Sequence, residues 1–486
     1  MNRIAAIAHV LGGLWMVFAA TFALPLAWSL AVKDGVHASF MVAAAASFMA
    51  GLALHVATRH GKRELHPREG CLLVVLGWFS MTGLAAVPFL LALPGMSVTD
   101  AFFEATSGLT TTGATVISGL EYLPQSINIW RHALQWYGGM GIIVLAVAIL
   151  PLLGVGGMQL FKAETPGPMK EGKLTPRITQ TAKYLWLIYA SLTALCILAL
   201  RLVGMGWFDA VAHAFSALAL GGFSTRDGSI ESFNSVGVEA VLAVFMMIAV
   251  TNFATHFSAL RQRSLKVYLH DNEAFASWVL ILLSGFGIAL FLWDHEHLYP
   301  DLWLALRHAL FNAVALGTST GYASTDYGIW PIFASAWILF LGTIASSAGS
   351  TGGGIKMIRA LILLKQARRE LARIVHPKQI KPLTINGQVI DTKVILAVLG
   401  FMLLYGATIT ILTFVMLATG LDFLSAVTGV VSIVNNIGPA LGMLGPSGNY
   451  AHLSDFQTWV LAIAMIAGRL ELLTFAVIFT AAFWRR

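Results

Sequence analysis

Long apolar runs separated by short polar stretches make up most of the chain. Most runs extend for about 20 residues without the apolar–polar alternation of a membrane strand. Because hydrocarbon cannot satisfy backbone polar groups, such runs are predicted to cross a membrane as helices. We place ten spans, at residues 4–31, 38–58, 71–94, 126–155, 181–205, 235–262, 272–293, 329–375 (interrupted), 390–419 and 454–484.

Shorter apolar segments lie between some of these spans. They occupy residues 98–109, 207–219, 301–316 and 421–434. At about 1.5 Å per residue each reaches only part-way through the hydrocarbon, which is typical of a re-entrant helix. A polar stretch containing glycine follows each one, and we name these stretches loop 1 (110–114), loop 2 (220–224), loop 3 (318–322) and loop 4 (435–439).

This order of segments predicts a repeated unit of helix, re-entrant helix, loop and helix. The fold class is therefore an all-α integral membrane protein with four pseudo-symmetric repeats around a central pore, preceded by an N-terminal two-helix prefix. The predicted boundaries are 1–69 for the prefix and 70–165, 166–265, 266–380 and 381–486 for the repeats. The third repeat contains the interrupted helix.

Composition and charge agree with a polytopic membrane protein. Hydrophobic residues make up 57% of the chain and charged residues 11%, and the mean hydropathy is +0.77, which excludes an ordinary soluble domain. The basic clusters fall on one side of the membrane if the ten spans alternate, so the positive-inside rule puts both termini in the cytoplasm. The net charge of +7 then reflects topology and indicates no nucleic-acid partner. Cys71 and Cys196 lie in apolar runs without metal-ligand spacing.

The loops have the composition of a site for a monovalent cation. Glycine adopts left-handed backbone conformations at no steric cost, which lets successive carbonyl oxygens point at one axis. No carboxylate lies in any of the four loops, and this argues against a calcium or magnesium site. The alternative for any single loop is an ordinary turn between helices.

The predicted ion-binding residues lie just before and at the last shared glycine of each loop. They are Thr111, Thr112, Gly113, Leu220, Gly221, Gly222, Thr318, Ser319, Thr320, Gly321, Asn435, Asn436, Ile437 and Gly438. Direct ion contacts are expected from Thr111, Thr112, Gly221, Thr320 and Ile437.

Residues 106–114, reading TSGLTTTGA, resemble the first filter segment of the Trk/Ktr/HKT superfamily of potassium transporters. Residues 317–322 are similar to the third filter segment, and 221–225 and 435–439 to the second and fourth. The resemblance covers nearly the whole chain, and the extra leading helix pair points to the TrkH branch. Loops 2 and 4 lack the threonine run, so their ligands would be mostly backbone carbonyls.

The resemblance implies a potassium-selective pore in a homodimeric, multi-pass protein of the bacterial inner membrane. K+ would be the transported ion, without an organic cofactor on this chain. A cytosolic ring that senses ATP, ADP or NAD would be the regulatory partner, beside the lipid bilayer itself. Plant relatives that favour sodium carry serine at the position of Gly113.

The eighth span is interrupted by a glycine-rich run at 345–356. Each glycine costs roughly 1 kcal/mol in a helix relative to alanine, so the run is predicted to break the helix at membrane depth. The Gly-Lys-Ser/Thr ending of a phosphate-binding loop is absent from it. We interpret it as a loop that blocks or opens the pore, as the resembling family also implies; a plain kink is the alternative. The gate residues would be Gly349, Ser350, Thr351, Gly352, Gly353, Gly354 and Arg469.

Arg469 and Glu471 stand inside the last predicted span, where charges are costly and usually face the bundle interior or water. Arg469 would raise a barrier to cations below the loops, and the family carries an arginine in its last helix. A buried structural ion pair is the alternative. The two charges are two positions apart, face different sides of a helix and are not expected to pair.

We compare three functions for a chain of this kind. A gated potassium channel would move ions passively, whereas a symporter driven by H+ or Na+ would need a titratable or second-ion site at the midplane. The four loops contain no such group, which favours the channel. An intramembrane enzyme would need a nucleophile with a base or a set of metal ligands, and the spans offer no convincing one.

Overall fold

The computed structural model describes residues 3–59, 66–144, 178–379 and 382–485. Regular structure in these ranges is helical apart from one pair of two-residue antiparallel strands, β1 (Thr384–Ile385) and β2 (Gln388–Val389). The helices are α1 (Arg3–Ala19), α2 (Ala23–Val32), α3 (His37–Ala57), α4 (Pro67–Ala92), α5 (Val98–Leu109), α6 (Gln125–Val144), α7 (Ile178–Leu202), α8 (Trp207–Ala219), α9 (Val236–Ala249), α10 (Phe253–Gln262), α11 (Lys266–His270), α12 (Asn272–Leu290), α13 (Leu302–Gly317), α14 (Ile332–Ile344), α15 (Met357–Val375), α16 (Thr392–Ala418), α17 (Phe423–Val434), α18 (Asp455–Arg469), α19 (Leu472–Val477) and α20 (Ala481–Trp484).

Six of the described helical segments are long and apolar enough to cross a membrane. They are Ile4–Val32, His37–Ala57, Arg68–Ala92, Lys183–Leu202, Asn272–His295 and Thr392–Ala418, and a seventh is obtained if α9 and α10 count as one bent span. The predicted span at 126–155 continues past Val144, outside the described residues. The count of ten therefore stays a prediction.

The structure interrupts three of the predicted spans. The interruption of the eighth is present, since α14 ends at Ile344 and α15 begins at Met357. Two further breaks did not stand out in the hydropathy pattern. The axes of α9 and α10 differ by 91°, and the last span changes from α18 to α19 after Arg469.

Local side chains and dihedrals account for these two breaks. The Asn252 side chain accepts a hydrogen bond from Ala254 N, so it starts α10 as an N-cap instead of continuing α9. Glu471 adopts φ +64°, a left-handed conformation that no residue inside a right-handed helix takes. Both breaks lie deep in the protein, where freed backbone groups need other partners.

The four short helices α5, α8, α13 and α17 match the predicted re-entrant segments closely. Three begin at a side-chain cap, because Ser97, Asp301 and Asp422 each accept a hydrogen bond from the backbone three residues on. Hydrogen bonds from the backbone and hydroxyl of Ser425 lower the pKa of Asp422, which keeps this cap ionised. The C-terminal halves of all four helices are buried within the protein.

The longer helices expose large apolar side chains on their outer faces. On α16 these include Leu403, 77% exposed, and Phe414, 66% exposed. Within the prefix, α1 packs closely against α3, where a Cβ on Gly12 or Gly51 would come within 2.7 Å of the partner helix's carbonyl oxygen. An apolar exterior around a polar centre is the pattern of a membrane-embedded protein.

Candidate functional site

The four short helices end in the same backbone conformation. A residue with positive φ follows each helix, and a glycine with positive φ comes two residues later. The pairs are Thr111 (54°) and Gly113 (85°), Leu220 (53°) and Gly222 (77°), Ser319 (58°) and Gly321 (85°), and Asn436 (53°) and Gly438 (100°). Four copies of one uncommon backbone path indicate one structural role.

The hydrogen bonds of these helix ends are also the same. The residue before each glycine donates its backbone N–H to the carbonyl five residues earlier, which is the Schellman arrangement. The bonds are Thr112 to Ser107 (2.8 Å), Gly221 to Ser216 (2.9 Å), Thr320 to Ala315 (2.8 Å) and Ile437 to Ser432 (2.9 Å). Each loop therefore begins at the negative end of a helix dipole, which favours a cation.

The four glycines form a closed ring of contacts. A Cβ on Gly113 would lie 2.1 Å from the Gly221 oxygen, and one on Gly222 would lie 1.9 Å from the Thr320 oxygen. A Cβ on Gly321 would lie 2.1 Å from Ile437 O, and one on Gly438 would lie 2.5 Å from Thr112 O. Because loop 1 touches loop 2, 2 touches 3, 3 touches 4 and 4 touches 1, the structure brings the loops around one centre.

Side-chain hydroxyls of loops 1 and 3 are arranged alike. Thr110 Oγ1 and Thr112 Oγ1 are 2.7 Å apart, and so are Thr318 Oγ1 and Thr320 Oγ1. Thr111 Oγ1 is buried and has no hydrogen-bond partner among the described residues. The threonine runs therefore give these two loops an internal brace.

Loop 4 contains no threonine, and side chains outside the loop bond to its carbonyl groups. Tyr450 donates its hydroxyl to Gly438 O at 2.7 Å, and Ser432 donates to Pro439 O at 2.9 Å. Asn436 Nδ2 donates across the ring to Thr112 Oγ1 at 2.9 Å. The last of these bonds ties the fourth loop directly to the first.

Cavities lie on both sides of the ring. One is lined by Gly113, Gly222 and Gly321 together with Arg226 and Asp227, which follow loop 2 in the sequence. The other lies at the C-terminal end of α17. It is lined by Asn435, Asn436, Gly352, Gly353, Gly354 and Arg469, among others.

The interrupting segment 345–356 lies against the ends of three short helices. Gly353 N donates to Ser319 Oγ at 2.8 Å, and Thr351 Oγ1 donates to Leu218 O at 3.0 Å. A Cβ on Gly353 would lie 2.0 Å from Asn435 O, so only glycine fits this approach. The segment thus contacts α8, α13 and α17 on the side of the second cavity.

Hydrogen bonds to Glu273 of α12, and one bond within the segment itself, hold this segment in place. The Glu273 carboxylate accepts hydrogen bonds from Ala348 N at 2.6 Å and from Ile358 N at 3.2 Å. Lys356 Nζ donates to Gly352 O within the segment. Glu273 was not expected at this site. In the sequence it follows a polar turn and looks like an ordinary acidic residue in the first turn of a helix.

Arg469 lies beside the segment and lines the second cavity. It is 4% exposed, and its NH1 donates to Thr351 O at 2.8 Å, while its Nε and NH2 find no hydrogen-bond partner in the described part of the chain. Glu471 instead pairs with Arg359 at 2.9 Å, so the expectation that Arg469 and Glu471 do not pair holds. Arg359 sits in a basic helix that reads in the sequence as a cytoplasmic surface, which is why its role was missed.

A buried ion pair between α5 and α6 lies beside loop 1. Arg131 Nε and Glu104 Oε1 are 2.7 Å apart, and both side chains are fully buried. Glu104 also accepts a hydrogen bond from Val116 N at 3.1 Å, just after loop 1. Glu104 therefore connects α5, α6 and the backbone just after loop 1.

The family model described as a cation transport protein, TrkH, matches residues 36–486. The chain belongs to the TrkH family. A Trk system potassium uptake protein TrkH from Salmonella typhimurium is 43% identical over 99% of both chains, and TrkG from Escherichia coli is 34% identical over 100% of this chain and 99% of its own. The crystal structure of the potassium transporter TrkH from Vibrio parahaemolyticus shares the fold, with a TM-score of 0.91 and 39% identity over the full length of both chains.

Proposed function

We propose that this TrkH-family chain is the potassium-selective conducting subunit of a potassium uptake system, and not an enzyme. The relatives named above are potassium uptake proteins, which supports potassium as the transported ion. The closed ring of glycine–carbonyl contacts carries the proposal, because it arranges four backbone loops around a single centre. Such a ring can replace the hydration shell of a bare cation.

The ion ligands in this proposal are neutral oxygens. The carbonyls that precede the four glycines belong to Thr112, Gly221, Thr320 and Ile437, and each comes from the C-terminal end of a short helix. Four helix dipoles, each equivalent to roughly half a negative charge, would then favour a cation at the centre. Thr111 adds a hydroxyl that has no other partner among the described residues.

Residues 349–354 and Arg469 act as the gate in this proposal. The segment lies beneath the ends of three short helices, and the Arg469 guanidinium holds it through Thr351. A positive charge lining the second cavity raises the energy of a cation there. Moving the segment and the guanidinium aside would open the path.

The setting of the protein completes the proposal. We place the protein as a homodimer in the bacterial inner membrane, as its family resemblance implies. The basic clusters of the loops support cytoplasmic termini. The relatives are named as parts of a Trk system, which supports a partner component, and a cytosolic nucleotide-binding ring is our choice for it. Basic residues on α15, such as Arg368 and Arg373, offer it a surface.

Passive conduction is favoured over symport by the loop chemistry. Coupling to H+ or Na+ usually requires a titratable or second-ion site at the midplane. Loops 1 to 4 contain no acidic, basic or histidine side chain. The ring therefore binds its ion without an obvious means of driving it uphill.

Flux through the purified protein in lipid vesicles tests the function. We expect K+ to move down its gradient and Na+ to move much more slowly, with or without an imposed proton gradient. Accumulation of K+ against its own gradient when protons or Na+ flow would contradict passive conduction. Equal fluxes of K+ and Na+ would contradict selectivity.

A further inference from the structure

Loop 2 differs from the other three loops in how its backbone is held. Loops 1 and 3 carry the paired threonine hydroxyls, and loop 4 is tied by Tyr450, Ser432 and Asn436. Loop 2 begins Leu220-Gly221-Gly222 and has no hydroxyl before its glycine. Its carbonyl groups must be fixed by residues elsewhere in the chain.

Helix α6 of the first repeat supplies those residues. Gln135 Nε2 donates to Gly221 O at 2.7 Å, and Gln135 Oε1 accepts from Phe223 N at 3.3 Å. The same side chain therefore fixes a donor and an acceptor on either side of Gly222. Gln135 is fully buried, so no water competes for these two bonds.

His132 lies one turn earlier on the same face of α6. Its Nδ1 is 2.7 Å from Asn128 O and its Nε2 is 3.1 Å from Phe223 O. Carbonyl oxygens only accept, so the ring donates to both as an imidazolium and to one of them when neutral. His132 thus brings a second side chain of α6 against Phe223, on its carbonyl group.

Arg131 fixes the far end of loop 2. Its NH1 donates to Ser224 O at 3.2 Å, and the guanidinium carbon lies 4.2 Å from the centre of the Phe223 ring. Glu104 holds the same guanidinium through the buried ion pair. Three side chains of one helix thus bind the backbone of loop 2 from Gly221 to Ser224.

We propose that Gln135 and His132 are positioning residues that determine ion selectivity, although neither belongs to a loop of the ring. This inference rests on the proposed function. Gly221 O also lies against Gly113, so a shift of this carbonyl would disturb both loop 2 and loop 1. A carbonyl ring that loses its spacing discriminates less well between K+ and the smaller Na+.

Gln135→Leu is the first test. Leucine has a similar size but makes neither hydrogen bond, so we expect the K+/Na+ permeability ratio in vesicles to fall by roughly tenfold. Gln125→Leu is the matched control on the same helix, since Gln125 accepts a hydrogen bond from Trp28 Nε1 at 3.3 Å and stands at the start of α6, far along the helix from Gln135. The control should retain the wild-type ratio.

His132 is tested by a pair of amides of different length. Glutamine extends its amide nitrogen to the position of Nε2 and can still donate to Phe223 O, whereas asparagine reaches only the position of Nδ1. We expect His132→Gln to keep most of the selectivity and His132→Asn to lose it. A role limited to packing would not separate the two variants in this order.

The readout is the permeability ratio of protein that elutes as a single folded species. An unchanged ratio in Gln135→Leu, or equal ratios in the two His132 variants, would overturn the proposal while leaving wild-type K+ conduction intact. If the wild-type protein itself moved no K+, the proposed function would fail instead. The two failures are therefore distinguishable.

Discussion

Arg469 donates from its guanidinium to the carbonyl oxygen of Thr351 at 2.8 Å. This bond joins the end of α18 to the glycine-rich segment between α14 and α15. It also leaves two guanidinium nitrogens without hydrogen-bond partners in the described part of the chain, next to a cavity. An incompletely bonded buried cation is costly, and this arrangement supports the gate role proposed for Arg469.

Arg469→Ala is expected to increase K+ flux. The variant removes both the bond to Thr351 and the positive charge lining the cavity, and a barrier lower by about 1.4 kcal/mol corresponds to a rate about ten times higher. Stopped-flow or ion-selective measurement of K+ efflux from vesicles would detect the change. Arg469→Lys keeps the charge and serves as the control, and an alanine variant no faster than this control would argue against the assignment.

Deletion of residues 350–352 is expected to raise K+ flux as well. The deletion removes Thr351, which bonds to both Leu218 and Arg469, so the path beneath the loops is less occupied. The comparison is flux per folded protein, with size-exclusion profiles to exclude misfolding. A well-folded deletion variant with K+ flux equal to or below that of the wild type would contradict the assignment of this segment as a gate.

Gly113→Ser is expected to reduce the K+/Na+ permeability ratio. Gly113 has φ +85°, and a side chain there would press on Gly221 O at 2.1 Å, so loop 2 must shift to accommodate it. Bi-ionic flux measurements in vesicles would give the ratio. Gly119→Ser is a suitable control, because Gly119 also has positive φ but the nearest atom to an added Cβ is a Tyr122 ring carbon 3.5 Å away.

Glu104→Gln is expected to destabilise the protein by roughly 3–5 kcal/mol, because it leaves the buried Arg131 guanidinium without its counter-charge. Thermal unfolding in detergent should show a clearly lower transition temperature. Glu370→Gln breaks an exposed pair with Arg373 at 3.1 Å and should change stability very little. Similar transitions for the two variants would show that the buried pair is not a major support of the ring.

The sequence predicted the short helices, the loops and the interrupted span because each leaves a local signal. Glycine and threonine at a helix end mark loop 1, and a cluster of glycines marks 345–356. The supports of the site leave no such signal, because they join positions far apart in the chain. Gln135 contacts Gly221 and Glu273 contacts Ala348, and neither residue stands out in its own segment.

The breaks in the spans were harder to anticipate for the same reason. Hydropathy averages over a window, so one left-handed residue such as Glu471, or one capping residue such as Asn252, leaves the average almost unchanged. Whether the backbone groups freed at a break find partners depends on distant segments. Those partners can be identified only in the folded structure.

The break between α9 and α10 has a mechanical consequence for the glycine-rich segment between α14 and α15. Ser347 N donates to Val250 O at 3.2 Å, and Phe253 N donates to Gly349 O at 3.1 Å, so each interruption satisfies backbone groups that the other leaves open. Separating them would strand buried donors and acceptors at a cost of about 1–3 kcal/mol each. The two interruptions are therefore expected to move together, so a displacement of α9 or α10 would also displace the segment beneath the ring.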